Sequence, residues 1–262
     1  MQTVSLHDLV TIERSAEGLQ VCCQGWQVPQ AEGNICYRAA TAVLALLDAA
    51  DVGLRISMEK RIPPGGGLGG GSADASAVIR GLPQVLGRQI TDLEALDLAQ
   101  AVGADVPFFL MGGSALVTGI GERVEPFARG CDLHFALARP DFGIGTTWAY
   151  ELYDACEVPG HRQERASDAA QSASGRVRAA LEGGNLEAAA KWLANDFWGP
   201  ISQARPELAK LRQAVEATGA LGASLTGSGS CVFGIYEAAD AAQDAAEKLS
   251  AQGYWAASCS AK

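Results

Sequence analysis

No run of basic residues, no Cys-x-x-Cys pair and no apolar stretch of membrane-spanning length occurs in the chain, and each absence removes a class of function. Twenty Lys and Arg stand against thirty Asp and Glu, a formal net charge of −10. A chain so acidic lacks the cationic surface that holds nucleic-acid phosphates, so no nucleic-acid partner is expected. An anionic ligand would have to be held by local donors: backbone N–H groups, a helix N-terminus, a few cations and a metal. The seven cysteines, Cys22, Cys23, Cys36, Cys131, Cys156, Cys231 and Cys259, are odd in number and have no zinc-ligand spacing. We expect reduced thiols in a cytoplasmic protein. The most apolar stretch, Ala39 to Ala50, is too short to cross a bilayer and ends at Asp51, and no basic-then-apolar leader opens the chain. No membrane partner is expected.

What is present is a globular composition, with 48% hydrophobic and 19% charged side chains over 262 residues, enough for one large core or two modest ones. The stretch from Thr3 to Glu13 partly alternates apolar and polar residues and reads as a strand. Asn34 is placed to cap a helix carrying Ala39, Val43, Leu46 and Leu47. Val52, Leu54, Ile56 and Met58 alternate as a half-buried strand that runs into Lys60. A helical pattern through Val78, Leu82 and Val85 comes next, with an interruption or bend expected near Pro83. Thr91-Asp92-Leu93-Glu94 is a capping box whose helix should stop at Gly103.

Strands are then expected at Ser114 to Thr118 and Leu133 to Ala138. The second half reads as helices at Thr147 to Tyr153, about Ala169 to Leu181, Leu186 to Leu193 and Glu207 to Thr218. Strands at Ala223 to Thr226 and Cys231 to Tyr236 flank a glycine loop, and a helix from Ala238 to Leu249 leads to a last strand at Tyr254 to Ala257. Strands and helices interleave without repeats, an α+β pattern. A boundary near Arg129 to Leu133 gives domains 1–130 and 131–262.

The densest signal is Pro63-Pro64-Gly65-Gly66-Gly67-Leu68-Gly69-Gly70-Gly71-Ser72-Ala73-Asp74, set between a strand and a helix. There loop amides and the orphan N–H groups of a helix start can converge on an anion, and residues without Cβ let the backbone wrap phosphate oxygens. Ser72 would be the N-cap or offer its hydroxyl to a phosphate or metal. The bland alternative is a flexible turn, against which stands the conformational cost of each ordered glycine, about 0.5–1 kcal/mol. Gly65, Gly67 and Gly70 match G-x-G-x-x-G, but two prolines separate them from the strand and the acidic Asp92 sits inside a capping box. A Walker A loop requires Lys where Gly71 stands.

From Lys60 to Ala75 the run resembles the phosphate-binding motif of the GHMP kinases, the family of galactokinase, homoserine kinase and mevalonate kinase. Gly103-Ala104-Asp105-Val106-Pro107-Phe108-Phe109 resembles its catalytic-aspartate motif, and Leu225-Thr226-Gly227-Ser228-Gly229-Ser230-Cys231-Val232-Phe233 its C-terminal glycine loop. Three motifs stand in the family's order and spacing, and the similarity is spread over nearly the whole chain. The resemblance implies a two-domain α+β GHMP kinase fold, with a ribosomal-protein-S5-domain-2-like N-terminal domain and a ferredoxin-like C-terminal domain. It implies ATP and Mg²⁺, and a cytidyl diphosphate as small-molecule substrate, phosphorylated on the 2-hydroxyl of its 2-C-methyl-D-erythritol moiety in the non-mevalonate route to isoprenoid precursors. Another alcohol or acid acceptor within the family, or nucleotide binding with impaired catalysis, are the alternatives. Monomer and homodimer both stay open.

By the same resemblance Asp105 is the catalytic Asp, where the bland reading is a helix cap. ATP would be held by Asn34, Lys60, Pro63, Pro64, Gly65, Gly66, Gly67, Leu68, Gly69, Gly70, Gly71, Ser72 and Ala73, with Ile35 also near the adenine; for Lys60 the bland reading is a solvated charge and for Ile35 a core residue. Thr146, Tyr150, Thr226, Gly227 and Ser228 would meet the substrate, Tyr150 by stacking on cytosine. No sharp metal-ligand set is present, and Ser72 is a candidate only. His7, His134 and His161 lie outside all three motifs and receive no catalytic role.

The family's first strand, an Ala-Lys-Ile-Asn-Leu segment with a Lys at the catalytic site, and the Asp-Gly-Tyr-His segment after it have no counterpart here. Met1 to Asp8 aligns with the family's residues just C-terminal to them. A start codon upstream of Met1 is the favoured expectation, a shortened form the other. In-frame translation of the DNA preceding Met1 is expected to reveal an Ala-Lys-x-Asn-like strand; finding neither that strand nor an Asp-Gly-Tyr-His segment would defeat this expectation.

Overall fold

The computed structural model describes residues 1–156 and 172–262. His161 and the expected helix start at 169–171 lie outside the described residues. The chain divides into two compact units. The first holds Met1, His7–Pro64 and Gly69–Pro126; the second holds Gln2–Leu6, Gly65–Leu68 and Phe127–Lys262.

In the first unit a three-stranded sheet is built on β3 (Leu54–Lys60). β1 (Leu9–Arg14) pairs with it antiparallel and β2 (Leu19–Gly25) parallel, in the order β1-β3-β2. The link from β2 to β3 carries α1 (Ile35–Leu46), as a parallel pair requires a crossover. Asn34 caps α1, its side chain accepting from Cys36 N at 2.9 Å. The period of two along β3 turns Leu54, Ile56, Met58 and Lys60 inward. The three apolar residues join a core with Val43 of α1, Ile79 and Leu82 of α2 (Gly70–Val85), Val102 of α3 (Asp92–Val102) and Val106 of α4 (Val106–Met111).

The Thr91 capping box is present and α3 ends at Gly103. A two-stranded ribbon, β4 (Ser114–Thr118) with β5 (Arg123–Phe127), comes after it. Three expectations need correction. The strand expected over 3–13 splits: Val4 bridges to Ala261, whereas pairing with β3 starts only at Leu9, so one alternating stretch serves two sheets. Pro83 does not interrupt α2, which runs to Val85: its missing N–H removes one intrahelical bond, and Val78, Ile79, Leu82 and Pro83 itself are buried along the helix. Ser72 is not the N-cap; Gly69 is, in the left-handed region, and Ser72 stands in the first turn.

The second unit is a four-stranded antiparallel sheet in the order β7-β8-β6-β9, made of β6 (His134–Arg139), β7 (Gly222–Leu225), β8 (Val232–Tyr236) and β9 (Trp255–Ser260). β6 is buried on both faces. Ala136 and Ala138 enter a core with Leu208, Leu211 and Val215 of α9 (Pro206–Ala217) and Leu249 of α10 (Ala239–Ala251). Phe135 and Leu137 enter another with Leu181 of α6 (Ala173–Glu182) and Ala189 of α7 (Leu186–Lys191). α5 (Thr146–Ala155) and α8 (Trp198–Ala204) complete the described helices. Outside β9, residues 3–5 extend the sheet through Ser5 N to Ser260 O at 2.8 Å and Lys262 N to Thr3 O at 2.9 Å.

Among the described residues no helix is long and apolar enough to cross a membrane, and all seven cysteines are free thiols. Ile56 is wholly buried at the centre of the first core. Ile56→Ala is therefore expected to cost about 2–5 kcal/mol of stability, read from the midpoint and slope of urea unfolding. A loss under about 1 kcal/mol would show that this core is not close-packed there.

Candidate active site

The inward face of β3 ends in a charge. Lys60 is only 6% exposed, so the solvated reading of this residue is wrong: strand alternation carries it inside with Leu54, Ile56 and Met58. A buried ammonium must be paired. It donates to Asp74 Oδ2 at 2.6 Å and to Asp8 Oδ2. Asp8 just precedes β1 and also accepts from Arg61 N at 2.6 Å and Ile62 N at 2.8 Å through Oδ1, which fixes the chain leaving β3. Asp74 lies on the buried face of α2 with Ala75, Val78 and Ile79.

The charges in this cluster are unequal. Burial pushes the Asp74 carboxyl up, the hydrogen bond and charge of Lys60 pull it back, Asp8 pushes it up again, and the balance is about 6. Burial alone would lower Lys60, but its bonds and charge interactions with Asp74 and Asp8 leave it above the ordinary lysine value. Asp74 therefore holds a proton more readily than an ordinary carboxyl, while Asp8 accepts from three donors.

The glycine run is not a loose turn. Gly67 has φ of +71°, and a Cβ there would stand 2.0 Å from Thr226 O; Gly69 has φ of +67°, and a Cβ there would stand 2.6 Å from the Phe109 ring. Neither position admits a side chain. Gly65 O accepts from Ile144 N at 2.9 Å and Ser230 N at 3.0 Å, and Gly66 O from Cys231 N at 3.2 Å and Thr226 Oγ1 at 2.6 Å. These carbonyls are committed within the second unit. At the other end of the run the first-turn amides of Gly70, Gly71 and Ser72 are those that α-helix geometry leaves without intrahelical acceptors. Ala73 N returns to Gly69 O at 2.9 Å. Pro63 is buried, and Pro64 is exposed. The Ser72 hydroxyl makes no hydrogen bond among the described residues.

Asp105 takes the N-cap position of α4 without capping it: its backbone is helical and its side chain makes no cap hydrogen bond. The carboxylate is open to solvent at one side, and the protein packed about the other desolvates it enough to raise it above the ordinary value. A carboxylate left unspent by local structure can accept a proton or orient a hydroxyl. Asn34 is spent on its cap, with Nδ2 also donating to Pro29 O at 3.0 Å. Ile35 packs against the first core.

In the second unit Tyr150 on α5 is exposed, with its ring edge-on to Phe197 at 4.9 Å between centroids. Thr146 Oγ1 lies 3.4 Å from Ser228 Oγ. Asn195 Nδ2 donates to Leu225 O at 2.9 Å and Gly227 O at 2.8 Å, flanking Thr226. Sequence reasoning missed Asp8, the partnership of Asp74 with Lys60, and Asn195. Helical spacing from Val78 and Ile79 could have placed Asp74 inside; no local pattern marks Asp8 or Asn195. His134 Nδ1 is 2.9 Å from Ser260 Oγ on the neighbouring strand. No group of three or more His, Cys, Asp or Glu among the described residues is placed to hold a metal ion.

Residues 34–113 match the family described as GHMP kinases N terminal domain, and residues 177–254 match GHMP kinases C terminal. A 4-diphosphocytidyl-2-C-methyl-D-erythritol kinase of Synechococcus sp. (strain JA-3-3Ab) is 38% identical over 252 residues, covering 95% of this chain and 80% of that protein. The enzyme of the same name from Citrifermentans bemidjiense is 35% identical over 260 residues, 98% of this chain and 87% of its own. A crystal structure of 4-(cytidine 5'-diphospho)-2C-methyl-D-erythritol kinase superposes with a TM-score of 0.75 at 32% identity, over 98% of this chain and 87% of that one. Homoserine kinase from Cytophaga hutchinsonii reaches the same TM-score of 0.75 at 19% identity, over 100% of this chain and 88% of its own, a likeness of fold.

The Asp74 carboxyl binds its proton more tightly folded than unfolded, so its contribution to stability is complete below about pH 4 and is lost as pH rises through about 6. Asp74→Asn, which mimics the protonated form, removes this dependence. The stability of the natural chain relative to the variant is expected to fall by something on the order of 3 kcal/mol between pH 4 and 7, measured by urea unfolding at several pH values. A difference that stays flat over that range would mean that Asp74 is ionised throughout.

Proposed function

The chain belongs to the GHMP kinase family, and on that premise we propose that it transfers the γ-phosphoryl group of ATP to the 2-hydroxyl of 4-diphosphocytidyl-2-C-methyl-D-erythritol. What carries the choice of acceptor is identity of 38% and 35% to two kinases of that name over 95% and 98% of this chain. Members of a kinase family use ATP as donor.

In this reading the amides of Gly70, Gly71 and Ser72, with the positive end of α2 behind them, receive phosphate oxygens. They do so in a chain of net charge −10, so the attraction is local and short-ranged. Mg²⁺ would be carried chiefly by the phosphates and water, as its preference for a hydrated shell allows, with the Ser72 hydroxyl as the protein's candidate ligand. The metal would neutralise charge on the transferring group.

Asp105 accepts or orients the proton of the substrate hydroxyl. As that O–H bond gives way, the oxygen bonds to phosphorus and ADP departs with the bridging electron pair. Desolvation raises the Asp105 carboxyl above its ordinary value and so strengthens it as a proton acceptor. The exposed Tyr150 ring offers a flat face to the cytosine, and Thr226, Gly227 and Ser228 offer backbone and hydroxyl partners to the same substrate. Lys60 acts on the nucleotide from behind, by holding the exit of β3 to α2.

The test is ADP release with the cytidyl substrate, mevalonate and homoserine offered separately. Phosphorylation of the cytidyl substrate alone is expected, and Asp105→Asn should lower kcat by about 100-fold or more, within the range of general-base contributions. Turnover of mevalonate or homoserine in its place would overturn the acceptor, and an Asp105→Asn rate within a few-fold of the natural one would overturn the base.

A further inference from the structure

Asn195 makes a junction that the phosphoryl transfer itself does not use. Its side chain spends both amide hydrogens and one acceptor: Nδ2 donates to Leu225 O at 2.9 Å and to Gly227 O at 2.8 Å, and Oδ1 accepts from Phe197 N at 2.9 Å. The partners fix which end is which. A flipped amide would set its oxygen against two carbonyls and its NH₂ against an N–H. Asp in the same place would bring a carboxylate against those carbonyls, and Ser could supply one hydrogen only.

The three bonds join two parts of the second unit, the loop after β7 and the start of α8. On one side the loop after β7 is gripped at the residue before Thr226 and the residue after it. Thr226 is thereby aimed so that its hydroxyl reaches Gly66 O at 2.6 Å, and Ser228 so that its hydroxyl lies 3.4 Å from Thr146 Oγ1. On the other side Phe197 is fixed at the start of α8, where its ring stands edge-on to Tyr150 at 4.9 Å and 89° and to Tyr153 at 5.7 Å and 65°. Tyr150 and Thr146 belong to the same helix, α5, one turn apart. The path from Gly227 through Asn195, Phe197, Tyr150 and Thr146 back to Ser228 is a closed ring of contacts.

An exposed aromatic ring has little of its own to fix it, and a glycine-rich loop has less. Edge-to-face contact holds a ring at a set angle, and a clamped loop has lost its conformational freedom before any ligand arrives. We propose that Asn195 is a positioning residue for the cytidyl end of the substrate, holding the 226–228 loop and the Tyr150 ring in one register; this rests on the reading of the acceptor as a cytidyl diphosphate.

Calorimetric binding of cytidine 5'-diphosphate and of ATP, without turnover, tests it. Asn195→Ala is expected to weaken cytidine 5'-diphosphate about tenfold, the size of one or two lost neutral hydrogen bonds, while ATP stays within about twofold. Phe197→Leu should do the same. The double variant should be no weaker than either single one, because both break the same ring. If Asn195→Ala gives no cooperative melt, Phe197→Leu carries the comparison. Undiminished cytidine 5'-diphosphate binding with a lowered melting temperature would reduce Asn195 to a structural part and overturn the proposal, as would equal losses for both ligands or multiplicative losses in the double variant. Failure of the natural chain to bind cytidine 5'-diphosphate would overturn the acceptor reading and this one together, whereas binding by the natural chain with none of the expected losses overturns this one alone.

Discussion

A lysine on the inward face of a strand constrains the first unit more than any apolar contact does. Lys60 cannot point outward without turning Leu54, Ile56 and Met58 outward as well, because side chains alternate with a period of two. Its ammonium is therefore buried by the register of the strand, and two carboxylates must come to it. Asp8 arrives from the residue before β1 and Asp74 from the first turns of α2. The end of one strand, the start of another and the base of the helix behind the glycine run are tied to a single cation. Where the unspent first-turn amides of α2 stand is in this sense decided beneath them.

The glycine run has a mechanical explanation beside its chemical one. At Gly67 and Gly69 the neighbouring backbone and an aromatic ring occupy the space that a side chain would need. Gly65 and Gly66 have their carbonyls engaged by four donors in the second unit. The run is thus held at one end by hydrogen bonds to its carbonyls and at the other by helix geometry, which leaves amides as the unspent groups. A loop that has already lost its freedom does not lose it again on binding.

Much of this was legible in the letters, for identifiable reasons. The caps at Asn34 and Thr91, the strand carrying Leu54, Ile56 and Met58, and the helix ending at Gly103 are local events written in neighbouring residues. The three motifs located the family. The solvated alternative for Lys60 survived in the letters because the alternation was followed as far as Met58 and not one step further. β2 was passed over because its residues are at best half-buried and its alternation is weak. Asp8 and Asn195 were invisible for another reason: their partners lie 52 and 30 residues away, and an Asp or Asn in a polar stretch looks like any other.

The edge of the four-stranded sheet is a matter of time as well as space. Residues 3–5 lie along β9, and Ser260 N reaches Ser5 Oγ across a separation of 255 residues. A ribosome makes those early residues long before their partners exist. Until β9 emerges, the early segment has no ladder to join and β6 lacks a neighbour on one side. Contacts of such range close late, since a long loop must be ordered before they form. The sheet is therefore finished from its outer edge and only once β9 has been made, and a chain released without β9 would leave a central strand open to pairing with another molecule.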